Sequence, residues 1–309
     1  MEKTKISIIG AGNVGAQTAM RILELDLADV VLLDIQEDLA KAKAFDLTDA
    51  GAIMGYRAKV TATGDYANIK DSDIVIITAG FTRKPGMARE ELLEKNAQVI
   101  KEAVSGIKEY AKNSIIIVVT NPLDILTHLT LKLSGFSSTR VMGMAGVLDS
   151  ARFSVQLADF IKTPPRDIKS VVLGSHSDKM LLLSRFCRYK KKGIINILRT
   201  EDLKTAEERT RRRGSEIVGL LKGGSAFFAP SAGVMRMVEA IVKDKKEIMP
   251  VCCYLDGYYG LKDVTLGNLA RIGRKGIEEI IELDLTFEEK KLLQEQAEEI
   301  RFSIQKLSI

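Results

Sequence analysis

The sequence predicts an α/β protein, with an N-terminal doubly wound parallel sheet over residues 1–144 and a C-terminal α+β domain over residues 145–309. Two observations carry this. In the first half, short β-branched apolar runs alternate with amphipathic stretches, the pattern of βαβ units. After about residue 145 the pattern changes to longer helices interrupted by a Pro-Pro turn and a Gly/Ser/Pro-rich passage, which marks a second unit. A chain of 309 residues accommodates two domains of ordinary size.

The expected strands of the first half are Lys5 to Ile9, Val30 to Leu33, Ile74 to Thr78 and Ile115 to Val119. Helical spacing covers Gly15 to Leu25, Lys41 to Ala52 and Glu90 to Tyr110, the last with apolar residues every three or four positions. Asn121-Pro122 closes the fourth strand, because Pro122 has no amide to donate and pushes its predecessor out of the helical region. In the second half, a turn falls at Pro164-Pro165, a strand at Lys169 to Leu173, and the small-residue passage at Gly223 to Gly233. The tail from Thr286 to Ser308 reads as a helix opened by a capping box, Thr286 with Glu289 three residues on. There is no internal repeat or low-complexity segment.

Composition excludes several classes. Hydrophobic residues make up 46% and charged residues 28%, as in a soluble globular protein, and no apolar run is long enough for a spanning helix. No membrane association is expected. The N-terminus passes from a short charged start directly into a strand, without a signal-peptide core, so the expected location is cytoplasmic. The three cysteines, Cys187, Cys252 and Cys253, lack both a disulfide framework and metal spacing, so reduced thiols and no metal are expected. The net charge is only +5, and the clusters Arg188 to Lys192 and Arg211 to Arg213 have no interleaved aromatics, so they read as solvated faces rather than a nucleic-acid surface.

Gly10-Ala11-Gly12-Asn13-Val14-Gly15 follows the first strand and opens a helix, the context that gives a GxGxxG match its meaning as a Rossmann fingerprint. The first glycine permits the tight turn, the second admits a pyrophosphate close to the backbone, and the third allows helix and strand to approach. The helix start offers free amides and a positive dipole end to phosphate. Asp34, at the end of the second strand, has the spacing of the acid that accepts ribose hydroxyls and repels a 2′-phosphate, which favours NAD over NADP. The plainer alternative is a tight turn and an acid that merely ends a strand. FAD-binding folds share the fingerprint, so the second domain must decide the cofactor.

Only two histidines are present, so imidazole acid/base chemistry must use His128 or His176. His128 lies in an apolar helix-like stretch and reads as a packed or surface helix residue. His176 follows a strand among small residues, in Leu173-Gly174-Ser175-His176-Ser177-Asp178, where a turn can project it into a cleft. Asp149 and Arg152 are three apart on an expected helix and share a face. A carboxylate fixes an imidazole tautomer and favours its charged form, and a guanidinium fork matches a substrate carboxylate. The plainer alternative is a structural loop histidine beside a surface ion pair.

At these residues the chain resembles the lactate/malate dehydrogenase family. The resemblance rests on LDSARF at Leu148 to Phe153, the His176 loop, TNPLD at Thr120 to Asp124, and TAGFTRKPGMAREELL at Thr78 to Leu93. It continues through KGGSAFFAP at Lys222 to Pro230 to YGLKDVTLG at Tyr259 to Gly267, and RKPGM and GMAGVLDSARF resemble the malate branch. The resemblance implies an NAD-dependent enzyme exchanging hydride with malate or oxaloacetate, a place in the tricarboxylic acid cycle, and a homodimer or homotetramer. It implies that His176 exchanges the substrate proton, Asp149 orients His176, Arg152 clamps the C1 carboxylate, and Asn121 bonds near the reacting oxygen. Arg89 would polarise the carbonyl and Arg83 would pair with the distal carboxylate, both within a segment, Gly80 to Glu91, that closes over substrate. Gly10, Gly12, Asn13, Val14, Gly15, Asp34, Asn96, Thr120 and Asn121 would contact the cofactor. Another 2-hydroxy acid, lactate included, and a non-catalytic NAD-binding scaffold are the remaining alternatives.

One stretch departs from the family pattern. Ser177 stands where the family has a second glycine, Lys179 follows the aspartate, and Leu181 to Leu183 replace a VPL segment. If that position requires a positive φ, the serine is strained or the loop has moved.

Overall fold

The computed structural model describes residues 4–82 and 86–307, the side chain of Arg89 excepted. Six parallel strands form the expected doubly wound sheet: β1 (Lys5–Ile9), β2 (Asp29–Leu33), β3 (Val60–Thr63), β4 (Ile74–Ile77), β5 (Ile115–Val118) and β6 (Val141–Gly143), in the order 3-2-1-4-5-6. Side chains alternate between its faces, as strand geometry requires. Ile6, Ile8, Ile74, Ile76, Ile115 and Ile117 enter one core, whereas Ile9, Val75, Ile77, Ile116 and Val118 enter the other. Both faces are covered, which is why the central strands β4 (IVII) and β5 (IIIV) are continuous apolar runs.

The first face packs against α1 (Asn13–Glu24) and α2 (Glu37–Met54); the second packs against α3 (Arg89–Tyr110) and α4 (Leu123–Ser134). Helix α3 follows the sequence expectation closely, and α2 extends past both expected ends to Gly55, whose φ of +81° supplies the left-handed C-cap. Beyond β6 come α5 (Gly146–Ile161) and the short strands β7 (Ile168–Lys169), β8 (Val172–Leu173), β9 (Leu181–Leu182), β10 (Arg188–Tyr189) and β11 (Lys192–Gly193). The single strand expected over Lys169 to Leu173 is therefore divided. Ser170 donates to the Ser150 carbonyl at 2.5 Å and bonds Ser154 Oγ at 2.8 Å, drawing the chain onto α5 between β7 and β8.

Helices α6 (Thr200–Leu221) and α7 (Phe228–Val242) follow. The passage up to Gly233 is helical from Phe228, because Pro230 falls in the first turn of α7, where a missing amide costs nothing. Three long antiparallel strands, β12 (Glu247–Leu255), β13 (Val264–Gly273) and β14 (Gly276–Ile281), then continue the parallel sheet beyond β6, through the pairing of Cys252 with Gly143. The final helix, α8 (Phe287–Gln305), carries the expected capping box between Thr286 and Glu289. All three cysteines are free and buried. Among the described residues no helix is long and apolar enough to cross a membrane.

Candidate active site

The glycine turn is built as the fingerprint requires. Gly10 has a φ of +104°, and a Cβ there would lie 2.5 Å from the Ala79 amide nitrogen; at Gly15 it would lie 1.9 Å from the Gly10 carbonyl oxygen. Neither position admits a side chain. Gly12 differs, because a Cβ there would meet nothing within 4 Å. It caps α1 without a side-chain hydrogen bond, and the first turn contains no acid. Space, free amides and a first helical turn without an acid together fit a dinucleotide pyrophosphate. Asn13 is exposed and Val14 half-buried at the same helix start.

Asp34 stands just past β2, its Oδ2 accepting from the Ala11 amide at 2.7 Å and its Oδ1 from the Gln36 amide at 2.9 Å. Its carboxylate is thus fixed at the rim of the turn. Lys43, on α2, was not singled out by sequence; its ammonium donates to the Ala11 carbonyl at 2.6 Å, so the Ala11 peptide is held from both sides. Burial lowers the Lys43 pKa, and the Asp34 charge opposes that.

Asn96 is fully buried on α3. Its Oδ1 accepts from the Phe81 amide at 2.7 Å, and its Nδ2 donates to the carbonyls of Phe81 at 3.1 Å and Asn121 at 2.6 Å. Both amide hydrogens are engaged by the backbone, so Asn96 is a pin between the start of the 80–91 segment and Asn121 rather than a free donor. Thr120 is likewise buried, donating to the Ala79 carbonyl at 2.7 Å. Asn121 itself is exposed. Arg89 is the first residue of α3, but its side chain and the whole of Arg83 lie outside the described residues.

The residues expected to carry proton transfer come together across two elements. Asp149, in the first turn of α5, accepts a hydrogen bond from His176 Nδ1 at 2.7 Å through Oδ2, and its Oδ1 lies 3.6 Å from Arg152 Nη1. Asp149 is only 3% exposed at its side chain, while His176 and Arg152 keep 16% and 14%. Both partners therefore retain some access to solvent. Burial alone would depress the His176 pKa; the charge and hydrogen bond of Asp149, joined by the charge of Asp124, outweigh it, and the net displacement is upward. With Nδ1 taken by the carboxylate, Nε2 is left for a reacting group. Burial lowers the Arg152 pKa against the pull of Asp149, with Arg213 adding to the lowering.

The His176 loop is held from behind. Gly174, with φ +82°, exchanges two backbone hydrogen bonds with Gly267 of β13, at 2.8 and 3.0 Å. Gln296 of α8 accepts from the Ser175 amide and donates to the Lys179 carbonyl, both at 2.8 Å. Ser177 does not have a positive φ, so the strain considered at that position is absent. Its hydroxyl bonds Ser175 Oγ at 2.8 Å and accepts from the Lys179 amide at 3.1 Å, while the Lys179 ammonium pairs with Glu299. The departures from the family pattern form a local network tied to α8.

The sequence reading overlooked two neighbours of this loop, Gln296 and Asp124. Asp124 lies inside the TNPLD motif, and its Oδ2 accepts from the His176 amide at 2.8 Å. His128, by contrast, is buried on α4, its Nε2 3.9 Å from Asp263, and burial depresses its pKa. Among the described residues no cluster of His, Cys, Asp or Glu could hold a metal.

Comparisons with known proteins agree with this architecture. Residues 4–143 match the NAD binding domain of lactate/malate dehydrogenase, and residues 146–308 match the alpha/beta C-terminal domain of the same family. The chain is 47% identical to the malate dehydrogenase of Methanosarcina acetivorans, with 99% of each chain covered, and 45% identical to that of Chlorobium luteolum, with 95% of each covered. Among solved structures, Cryptosporidium parvum malate dehydrogenase superposes with a TM-score of 0.96 at 36% identity, covering 99% of both chains. The lactate dehydrogenase of C. parvum, complexed with lactic acid and nicotinamide adenine dinucleotide, gives 0.95 at 37% identity, covering 99% of this chain and 98% of the other. The chain belongs to the lactate/malate dehydrogenase family.

Proposed function

We propose that this chain is an NAD-dependent malate dehydrogenase, interconverting malate and oxaloacetate in the tricarboxylic acid cycle, as a cytoplasmic homodimer or homotetramer. In this reading residues 1–144 bind the cofactor and residues 145–309 bind the substrate. The observation that carries the chemistry is the 2.7 Å contact between Asp149 and His176, with Arg152 on the same helix face. The curated relatives' names support the choice of malate.

NAD, when bound, supplies the hydride acceptor and donor. The glycine turn and the start of α1 hold its pyrophosphate, and Asp34 accepts its ribose hydroxyls. His176 gives its Nε2 proton to the substrate oxygen in ketoacid reduction and takes it back in hydroxyacid oxidation. Asp149 holds the ring in the Nδ1–H tautomer and stabilises the imidazolium. Arg152 binds the C1 carboxylate in a two-pronged contact. Asn121, fixed through its backbone by Asn96, bonds near the reacting oxygen; Thr120 and Asn96 act by shaping this wall. Arg89 polarises the carbonyl, and Arg83 pairs with the distal carboxylate.

The test is NADH oxidation, followed by absorbance, with oxaloacetate and with pyruvate. Turnover preferring oxaloacetate supports the reading. A preference for pyruvate would assign the chain to lactate, and NADH binding without turnover on either ketoacid would make it a scaffold.

A further inference from the structure

Asp124 is an acid in an expensive place. It is 6% exposed in the first turn of α4, and a buried carboxylate costs free energy unless something nearby uses its charge. Its Oδ2 accepts from the His176 amide at 2.8 Å, and its carbonyl accepts from Thr265 Oγ1 at 2.7 Å, joining α4 to the histidine loop and to β13. Oδ1 is buried without a hydrogen-bond partner, and the thiol of Cys252, on β12, acts on the Asp124 carboxyl group.

Burial is the largest influence on this carboxylate and raises its pKa to about 6, so it is mostly ionised at neutral pH. The histidine loop presents His176, whose charge favours the ionised acid; α5 presents Asp149, which disfavours it; β12 presents the neutral Cys252. Arg152, also on α5, acts on His176 and opposes its protonation. Asp149 and Asp124 thus repel one another, and His176 is the cation among the described residues that rewards both.

We infer that Asp124 is a positioning residue for His176, fixing the backbone amide that sets where the ring stands and supplying, beside Asp149, a second negative charge that favours the imidazolium. This rests on the acid/base role given to His176 above. The amide hydrogen bond and the charge are separable, since an asparagine oxygen accepts the same hydrogen bond without being ionised.

The experiment is an NMR titration of His176 in a His128→Asn background, where it is the sole histidine, together with the pH profile of kcat/KM for oxaloacetate reduction. Asp124→Asn is expected to move the His176 midpoint to lower pH by about one unit and to move the activity limb with it, leaving KM for NADH unchanged. Asp124→Glu, which keeps the charge but misplaces it, is expected to hold the midpoint near wild type while kcat falls about tenfold. An unmoved midpoint in Asp124→Asn, or a midpoint in Asp124→Glu as low as in Asp124→Asn, overturns the proposal. The NMR midpoint is read without turnover, so a wild-type protein inactive on oxaloacetate would refute the assigned reaction and leave the test of Asp124 intact.

Discussion

Gln296, midway along the last helix, is hydrogen-bonded to Ser175, the residue preceding His176, across 121 positions of sequence. The same amide donates to the Lys179 carbonyl, so one buried side chain spans the loop. Gln296→Leu leaves the Ser175 amide and the Lys179 carbonyl unpaired, which costs about 1–3 kcal/mol for a buried group. Thermal unfolding should shift downward by several degrees, and kcat should fall roughly tenfold while NADH affinity stays as it is. Isothermal titration with NADH beside steady-state kinetics checks this; lost NADH affinity would mean that α8 supports the cofactor side instead.

His176→Asn should retain NADH binding and lose about 10²–10⁴-fold in turnover, the usual contribution of a general acid/base. His128→Asn should change turnover little, because His128 is buried on α4 away from the Asp149 contact. Reversal of the two losses would move the acid/base assignment to His128.

The pH dependence has a definite sign. In the proposed reaction, reduction needs protonated His176 and oxidation needs it neutral. Because the His176 pKa is raised in the folded protein, reduction should persist above the ordinary imidazole midpoint and decline as pH rises through the raised value. Oxidation should increase over the same interval. Asp149→Asn removes the principal raising influence, so the limb of whatever activity remains should shift to lower pH. A limb that stays in place would show that a different group titrates.

Much of the first half of the fold was legible in the chain because a strand buried on both faces tends to be apolar throughout, and β4 (IVII) and β5 (IIIV) are. The antiparallel addition was not. Strand β12 reads EIMPVCCYL, and a proline inside an apolar run argues against a strand. Pro250 is tolerated because β12 pairs with β6 only at Cys252, leaving the proline's position open on that side. In the candidate site, the proximity of Asp149, His176 and Arg152 was legible because the proposed chemistry calls for those side chains together. Asp124, Gln296 and Lys43 were not, since each acts on a backbone amide or carbonyl that carries no sequence signal.

Cofactor choice should change at Asp34. Asp34→Ser removes the negative charge that would oppose a 2′-phosphate, with the Lys43 ammonium nearby on α2, so the NADP to NAD ratio of specificity constants should rise by roughly 10–10²-fold. Because Asp34 also accepts from the Ala11 amide, absolute NAD affinity should fall as well. An unchanged ratio would remove the ribose contact from Asp34.

Substrate choice should change at Arg83. Leaving a desolvated carboxylate unpaired typically costs about 3–5 kcal/mol, so Arg83→Gln should lower the specificity constant for oxaloacetate by roughly 10²–10³ or more. Pyruvate lacks the second carboxylate and should lose far less. Equal losses on both ketoacids would place the reading of that carboxylate elsewhere.

The pairing of Cys252 with Gly143 has a mechanical meaning. It makes one hydrogen-bonded sheet of strands from both halves of the chain, and a single core holds Ile6, Ile8 and Ile76 together with Val251, Leu266 and Ala270. Helix α1, which opens at the glycine turn, is also fastened to α7 by Arg21 and Ser231. Separating the halves would strip β6 of its neighbour and expose apolar surface on both sides. The two halves should therefore melt in one calorimetric transition, and the first 144 residues expressed alone should aggregate through the uncovered strand edge.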